Sequence, residues 1–172
     1  DAIYKVFHMP GRMQEGYFQA DLLSDILGRG KSSRLYRQLV KEKSIFNSIN
    51  AYVLGSADPG LLVIQGHVNQ NTSIETAHDA LSEIIQHLVE EGASEPELQK
   101  VKNKAEATLI FSGVEVLNQA IHLALNAALG NPDRVNQESA LLQAVNNEEI
   151  NASARNLLVP ENSSTLFYRK RS

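Results

Sequence analysis

The stretch ILGRGKSSRLYRQLVKEK, residues 26–43, joins an apolar segment to a glycine-rich turn and a second apolar segment. It contains Gly30-Lys31-Ser32, the last three residues of the phosphate-binding P-loop pattern G-x-x-x-x-G-K-[ST]. The first glycine of that pattern would fall at Asp25, where a carboxylate would repel a phosphate. The apolar residues before the turn recur at spacings of three and four, which indicates a helix rather than the buried strand that precedes a P-loop. We therefore do not expect a nucleotide site.

Composition limits the classes of protein to which the chain can belong. Its 172 residues are 42% hydrophobic and 21% charged, which is typical of a globular domain with a real core. The net charge of −4 gives no general attraction to nucleic acid, and we expect the basic residues Arg169, Lys170 and Arg171 to form a solvated tail. The chain has no cysteine, which excludes disulfides, thiolate metal sites and cysteine nucleophiles.

The sequence predicts a soluble protein but does not fix its compartment. No apolar run approaches the roughly 20 residues of a membrane helix, and no signal peptide is visible. Cytoplasmic and periplasmic locations both stay open. The first residue is Asp1 rather than methionine, so we expect a processed chain or a piece excised from a longer one.

The pattern of elements predicts an α+β fold. Strands are expected at 2–9, 45–54, 61–68 and 164–169, with the second and third forming a hairpin. Helices are expected at 16–27, 71–92, 94–130, 135–145 and 148–158, and a further helix is expected to begin at Ser32 or Ser33. The helix at 94–130 is expected to kink or break at Gly113. Strands and helices do not alternate one for one, which favours a two-layer sandwich, a mainly antiparallel sheet with helices packed on one face. No linker or repeat is visible, so we treat residues 1–172 as one domain.

Three helices are predicted to begin with a capping box, in which a polar N-cap and an acidic residue three positions later satisfy each other's backbone groups. These pairs are Thr72 with Glu75, Ser94 with Glu97, and Asn146 with Glu149. After Gly113, one face of the resumed helix is expected to carry apolar residues, namely Leu117, Ala120, Ile121, Ala124, Ala127 and Ala128.

The second strand alternates in character and offers a candidate binding face. Ile45, Ile49, Ala51 and Val53 are predicted to face one way, and Phe46, Ser48, Asn50 and Tyr52 the other. An extended peptide could add along a neighbouring sheet edge, next to the polar and aromatic side chains of Ser48, Asn50 and Tyr52. The alternative is that this face is solvated or covered by a partner domain, because half-polar strand faces are common in antiparallel sheets.

Two segments resemble the insulinase/pitrilysin family of zinc metallopeptidases, and in particular the C-terminal domain that lacks zinc in each homologous pair. The first is LLSDILGRGKSSRLYRQLVKEKSI, residues 22–45, followed by FNSINAY; the second is EEGASEPELQKVKN, residues 90–103. The residues that carry the first resemblance are Gly28, Gly30, Ser32, Ser33, Arg34, Leu35, Leu39, Glu42 and Lys43. The resemblance implies an antiparallel sheet backed by helices, and two similar halves that close around an unfolded peptide while only one half carries the metal.

The family's zinc motif, H-x-x-E-H on a helix, is absent from this sequence. His8, His67, His78 and His122 have no such neighbours, while His87-Leu-Val-Glu90 is followed by Glu91 in place of the second histidine. His87 and Glu91 share a helix face but offer two ligands where zinc needs at least three from the protein, so we expect a solvated pair. We expect no metal, no catalytic residue and no activity in this chain alone; the resemblance places zinc in a partner half.

One departure from the family pattern concerns substrate contacts. Many halves without zinc carry an arginine at the end of the second helix and a tyrosine seven residues later, both directed at the substrate. Those positions are Val40 and Asn47 here. Lys41 would be a point donor rather than a bidentate fork, and Asn47 stays a candidate for a polar contact. The sequence thus predicts a non-catalytic half that encloses and positions a peptide; alternatively, it is an assembly module of the same fold without peptide handling.

Overall fold

Four strands form the sheet in the computed structural model, which describes residues 1–170. They are β1 (Ala2–Met9), β2 (Phe46–Leu54), β3 (Gly60–Val68) and β4 (Ser163–Tyr168), and their order across the sheet is β2-β3-β1-β4. All three pairings are antiparallel, and β2 and β3 form the predicted hairpin. Because β2 and β4 each pair on one side only, the sheet has two open edges among the described residues.

The helices cover one face of this sheet. They are α1 (Tyr17–Gly28), α2 (Ile74–Glu91), α3 (Glu95–Ser112), α4 (Val116–Ala128), α5 (Arg134–Ala144) and α6 (Asn147–Leu157). Alternate strand residues pack beneath α1, α2 and α6 in one core, including Ile3, Phe7, Ile49, Leu62 and Ile64. The predicted two-layer α+β architecture is therefore confirmed. No single helix in the described part is long and apolar enough to cross a membrane; α3 and α4 meet that criterion only as a pair, bent by 109°.

The glycine-rich turn after α1 presents carbonyl oxygens rather than N–H groups to its surroundings. Lys104 Nζ donates to the Arg29 carbonyl oxygen at 3.1 Å, and Lys100 Nζ donates to that of Ser32 at 3.0 Å. A P-loop needs the opposite polarity, because its N–H groups hold phosphate oxygens. Lys31 is exposed, and the turn follows helix α1 rather than a strand.

The segment after this turn is a π-helix, Tyr36–Glu42, in which backbone bonds span five residues, as from Lys43 N to the Gln38 carbonyl at 2.9 Å. The sequence predicts an ordinary helix with Ser32 or Ser33 as its N-cap. Neither hydroxyl caps it by a side-chain hydrogen bond, and the Ser33 hydroxyl donates to the Gly30 carbonyl oxygen at 2.7 Å.

Two of the three predicted capping boxes are confirmed, those of Ser94 with Glu97 and of Asn146 with Glu149. The predicted box at Thr72 is wrong by one residue. Ser73 is the N-cap of α2, and its hydroxyl accepts from the Thr76 backbone N–H at 3.1 Å.

The prediction that Phe46 lies on the same side of β2 as Ser48, Asn50 and Tyr52 is also wrong. A register irregularity at Asn47 means that Phe46 pairs with Val68 while Ser48 already pairs with the next residue, His67. The extra residue of this β-bulge turns Phe46 to the core side, where it is 2% exposed. From Ser48 to Leu54 the predicted alternation holds.

The basic C-terminal segment is only partly within the described residues. Arg169 forms an ion pair with Glu75, and the Lys170 backbone N–H donates to Asp1 at 2.9 Å; both residues contact the domain and are exposed, as predicted. Arg171, the third residue of the predicted solvated tail, lies outside the described residues.

Candidate functional site

The second face of the sheet is covered by no helix from residues 1–170 and forms the candidate site. Strand pairing places its side chains in rows that run from β2 through β3 and β1 to β4. The rows are Ser48, His67, Ala2 and Tyr168; Asn50, Gln65, Tyr4 and Leu166; Tyr52, Val63, Val6 and Ser164; and Leu54, Leu61 and His8. We call this set the open sheet face. It contains no Asp, Glu, Lys or Arg, although such residues make up 21% of the chain.

A hydrogen-bonded aromatic and amide cluster lies at the centre of this face. Gln65 Nε2 donates to the Tyr4 hydroxyl at 3.1 Å, and the Tyr52 hydroxyl donates to Gln65 Oε1 at 3.5 Å. Val63, next to Tyr52 in the neighbouring strand, is only 4% exposed, although none of the described helices lies on this face. Gln65 thus lies between Tyr4 and Tyr52, with the shorter of its two hydrogen bonds made to Tyr4.

The structure brings together three of the four residues predicted to bind substrate. Ser48, Asn50 and Tyr52 project from β2 onto the open sheet face and are exposed. Asn47 is separated from them because it is the extra residue of the bulge, and its side-chain amide donates to the Val68 carbonyl oxygen at 3.4 Å. Val40, at the family's arginine position, is partly buried against the core.

Tyr4 and Gln65 were not identified from the sequence as members of the site. At the end of β3, Gln65 and His67 alternate with Ile64 and Val68, which is a signal that they face away from the core, whereas β1 gives no clear signal because Lys5 falls on the same side as Ile3 and Phe7. The meeting of Tyr4 and Gln65 with Tyr52 depends on strand order and register, which alternation within one strand does not specify.

A cavity of about 460 Å³ adjoins the outer edge of the open sheet face, between α1 and β2. Its lining includes Asp21, Asp25 and Arg29 from the helix side and Asn50 and Tyr52 from the strand. Burial, and then the neighbouring Asp25 carboxylate, raise the pKa of Asp21 to about 6. Burial also raises the pKa of Asp25, whereas Arg29, which donates to both of its oxygens at 3.3 Å, acts in the opposite direction.

The histidines do not assemble a zinc site within residues 1–170, where no group of three potential ligands converges. His87 Nε2 lies 3.1 Å from Glu91 Oε1 on the exposed side of α2, and the described part of the chain supplies no third ligand beside them. His78 stacks edge-on against Phe167, and His8 and His67 stand in different rows of the open sheet face. These residues do not fit a zinc ion that needs at least three converging protein ligands.

Comparison with known proteins agrees with this geometry. A model of the family described as "Peptidase M16 inactive domain" matches residues 1–105, which is more than half of the chain. This chain belongs to the peptidase M16 inactive-domain family. The predicted kinship with insulinase-type zinc proteases is therefore confirmed.

Relatives of this M16 inactive domain include zinc proteases and solved structures. It is 25% identical to the uncharacterized zinc protease YmxG of Bacillus subtilis (strain 168) over 154 residues, covering 89% of this chain and 37% of that protein. A protease from Helicobacter pylori has a TM-score of 0.88 at 18% identity, covering 95% of this chain and 40% of that one. An M16 inactive domain from Pseudomonas fluorescens has a TM-score of 0.75 at 16% identity, covering 95% of this chain and 39% of that one. The chain thus spans well under half of these proteins.

Proposed function

We propose that this M16 inactive domain positions an extended peptide on its open sheet face while a homologous zinc-bearing half performs the hydrolysis. The observation that carries the proposal is that an exposed face built from four strands contains hydrogen-bonded tyrosine and amide groups and no charged Asp, Glu, Lys or Arg. Surfaces that bind other chains are commonly depleted of charged residues and enriched in tyrosine. Membership of an inactive-domain family supports placing the metal elsewhere.

The chemistry of the face suits an unfolded peptide rather than one small molecule. Tyr4 and Tyr52 offer flat apolar surfaces with a hydroxyl at one end, so they can contact varied side chains and still hydrogen-bond to a backbone. Asn50 and Gln65 offer both donors and acceptors. The open edge of β2 adds unpaired backbone groups, which are the groups that a peptide strand uses when it extends a sheet.

The chain's own residues therefore bind and orient, and none is assigned a proton transfer. Zinc in the partner half would activate water and polarise the scissile carbonyl. A peptide held in an extended conformation has fewer internal degrees of freedom when it meets the metal, which lowers the entropic part of the barrier.

Titration of the isolated domain with an uncharged, aromatic-containing peptide tests this proposal. We expect backbone amide shifts confined to β2, β3 and β1, and binding weakened about 5- to 20-fold in a Tyr4→Ala, Tyr52→Ala double variant. Phe111→Ala, which removes an exposed aromatic ring outside the sheet, is the matched control and should bind as the parent does. Shifts elsewhere in the domain, or peptidase activity of the isolated chain with zinc, would refute the proposal.

A second candidate function is assembly alone, with the open sheet face covered by a partner domain. Valine at position 40 and asparagine at position 47, in place of arginine and tyrosine, favour it. Photo-crosslinking separates the two functions. A peptide bearing a photoreactive phenylalanine should label β2 or β3 if the face handles peptide, whereas an assembly module should give no label on these strands.

A further inference from the structure

Lys5 places a charge on the side of the sheet that the helices cover. Strand pairing sets it between Ile64 of β3 and Thr165 of β4, and Ile3 and Phe7 lie on the same side of β1. Within residues 1–170, no other strand residue on this side is Asp, Glu, Lys or Arg. A buried ammonium group costs free energy unless other groups interact with it. The groups around Lys5 therefore decide whether its charge is compensated.

A cavity of about 460 Å³ adjoins Lys5, between β1, α2 and the segment that connects α6 to β4. Most of its lining is apolar, and the apolar members are Phe7, Ile85, Val89, Leu158, Val159 and Pro160. Its volume lies within the range of about 300–1,000 Å³ that is usual for small-molecule sites. Among the described residues, Lys5 alone gives the lining a positive charge. The cavity thus combines the size of a small-molecule site with apolar walls and one cation.

The ammonium group of Lys5 has few partners inside the protein. Its Nζ donates to Thr165 Oγ1 at 3.3 Å and lies 5.8 Å from the centre of the Phe7 ring. It carries three N–H donors, and the ion pairs within residues 1–170 do not include it. Burial lowers the pKa of Lys5, as expected where no anion compensates the charge. Glu90 also lines the cavity, but it is exposed and accepts from Gln86 Nε2 at 2.7 Å. Lys5 therefore keeps donors for an anion that enters the cavity.

We propose that this cavity binds an unbranched aliphatic carboxylic acid of about eight to twelve carbons, with its carboxylate at Lys5 Nζ and its chain against the apolar walls. A carboxylate and an ammonium group form a charge-assisted hydrogen bond, which is stronger than a bond between neutral groups. Each methylene group of the chain that leaves water for the apolar lining adds to the affinity. The cavity lies on the helical side of the sheet, so the inference does not depend on the proposed function.

The lining favours such a ligand over a polypeptide segment from another domain or chain. A segment would bring backbone N–H and C=O groups into the cavity, and apolar side chains cannot pair with them. Ser82 and Gln86 are the uncharged polar side chains of the described lining, and Gln86 already donates to Glu90. An aliphatic carboxylate needs hydrogen bonds at one end only, which is where Lys5 lies.

Isothermal titration calorimetry with decanoate tests the proposal. We expect one saturable site with a dissociation constant on the order of 50 μM. Lys5→Met should weaken binding about 10-fold or more, because the charge-assisted hydrogen bond is lost. Methionine suits the apolar surroundings, so this variant should remain folded. Lys31→Met, which removes an exposed ammonium group elsewhere, is the matched control and should bind decanoate as the parent does.

Decanol separates the charge from the chain. It has the same number of carbons as decanoate and no charge, so it should bind the parent and Lys5→Met with equal affinity. That affinity should be weaker than the affinity of the parent for decanoate, because the hydroxyl group forms no charge-assisted bond.

Backbone amide NMR locates the ligand and distinguishes the cavity from other apolar surface. Decanoate should shift signals of β1, α2 and residues 158–160, and Ser82→Phe should abolish these shifts because its ring occupies the cavity. Leu117 and Ile121, on the outward side of α4, are 70% and 52% exposed. An amphiphile that adsorbs without a specific site would contact such exposed apolar residues and would shift signals of α4.

Three outcomes would overturn the proposal. Equal affinity of the parent and Lys5→Met for decanoate would show that the ammonium group does not hold the carboxylate. Amide shifts confined to α4, or shifts that Ser82→Phe leaves unchanged, would show adsorption outside the cavity. A chain that shows no saturable binding up to about 1 mM decanoate would show that the cavity does not accept this class of ligand.

Discussion

Arg34 and Glu97 are joined by two parallel hydrogen bonds of 2.8 Å, from Nε to Oε1 and from Nη2 to Oε2. Arg34 Nη2 also donates to the Gly92 carbonyl oxygen at 2.8 Å. Arg34 belongs to the glycine-rich stretch, and Gly92 and Glu97 belong to residues 90–103. The two segments that resemble the family most closely are therefore in direct contact, and their shared residues stabilise the packing of α3 against the turn.

Replacing Arg34 by methionine should lower the free energy of unfolding by about 2 kcal/mol. The change removes the Arg34 donor from the Gly92 carbonyl and from Glu97 Oε1, while Glu97 Oε2 keeps the Ser94 N–H and hydroxyl. Losing a donor to a partly buried acceptor costs more than losing a surface contact. Urea unfolding followed by circular dichroism measures the difference.

The control for this substitution is Arg37→Met. Arg37 and Glu42 also form an ion pair, but their atoms are 3.8 Å apart and both side chains are exposed. Removing this pair should change the free energy of unfolding by less than about 0.5 kcal/mol. Equal losses in the two variants would show that Arg34 contributes no more than a surface charge.

Acid should lower the free energy of unfolding because it protonates Glu97. Hydrogen bonds from Arg34 are the largest cause that lowers the pKa of Glu97, from 4.5 to about 2. The folded-state pKa lies below the unfolded one, so this stabilisation is fully present above about pH 4.5 and is lost as the pH falls toward 2. We expect a Glu97→Gln variant to lose less unfolding free energy than the parent between pH 4.5 and 2.5. Unfolding curves at several pH values give the dependence of the unfolding free energy on pH for the parent and the variant. If the two dependences are identical, the acid sensitivity comes from other carboxylates.

Asp21 should have the opposite effect on stability. Its folded-state pKa of about 6 lies above the ordinary 3.8, so the folded protein holds the proton more tightly and loses stability as the pH rises from about 4 to 6. At pH 7, Asp21→Asn should raise the free energy of unfolding by about 1 kcal/mol, and the gain should nearly vanish at pH 4. Asp79→Asn, at a site with an 84% exposed side chain, is the control and should show no such pH-dependent gain. A gain from Asp21→Asn that is the same at pH 4 and pH 7 would contradict the argument.

Features set by neighbouring residues could be predicted from the sequence, and features set by distant pairing could not. The capping boxes at Ser94 and Asn146 and the helix break at Gly113 depend on three or four consecutive positions. The inward turn of Phe46 depends on a bulge that exists only because β2 pairs with β3. Periodicity likewise identifies an apolar face on α4 but cannot show whether that face points inward or outward, because its direction depends on the 109° angle between α3 and α4.

Gly28 should be intolerant of a side chain because it is the point where α1 touches β2. A Cβ at this position would overlap the Ala51 backbone nitrogen and lie 2.6 Å from the Ala51 Cβ, so the helix would have to move away from the strand. We expect Gly28→Ala to lower the free energy of unfolding by about 2 kcal/mol, despite the better helix propensity of alanine. Gly113→Ala is the matched control, because a Cβ there meets nothing closer than 3.4 Å, and it should be neutral or slightly stabilising. Ala51 lies between Asn50 and Tyr52, so the displaced strand should also shift backbone amide signals across the open sheet face. A Gly28→Ala variant with the stability and spectrum of the parent would show that α1 and β2 are not in close contact.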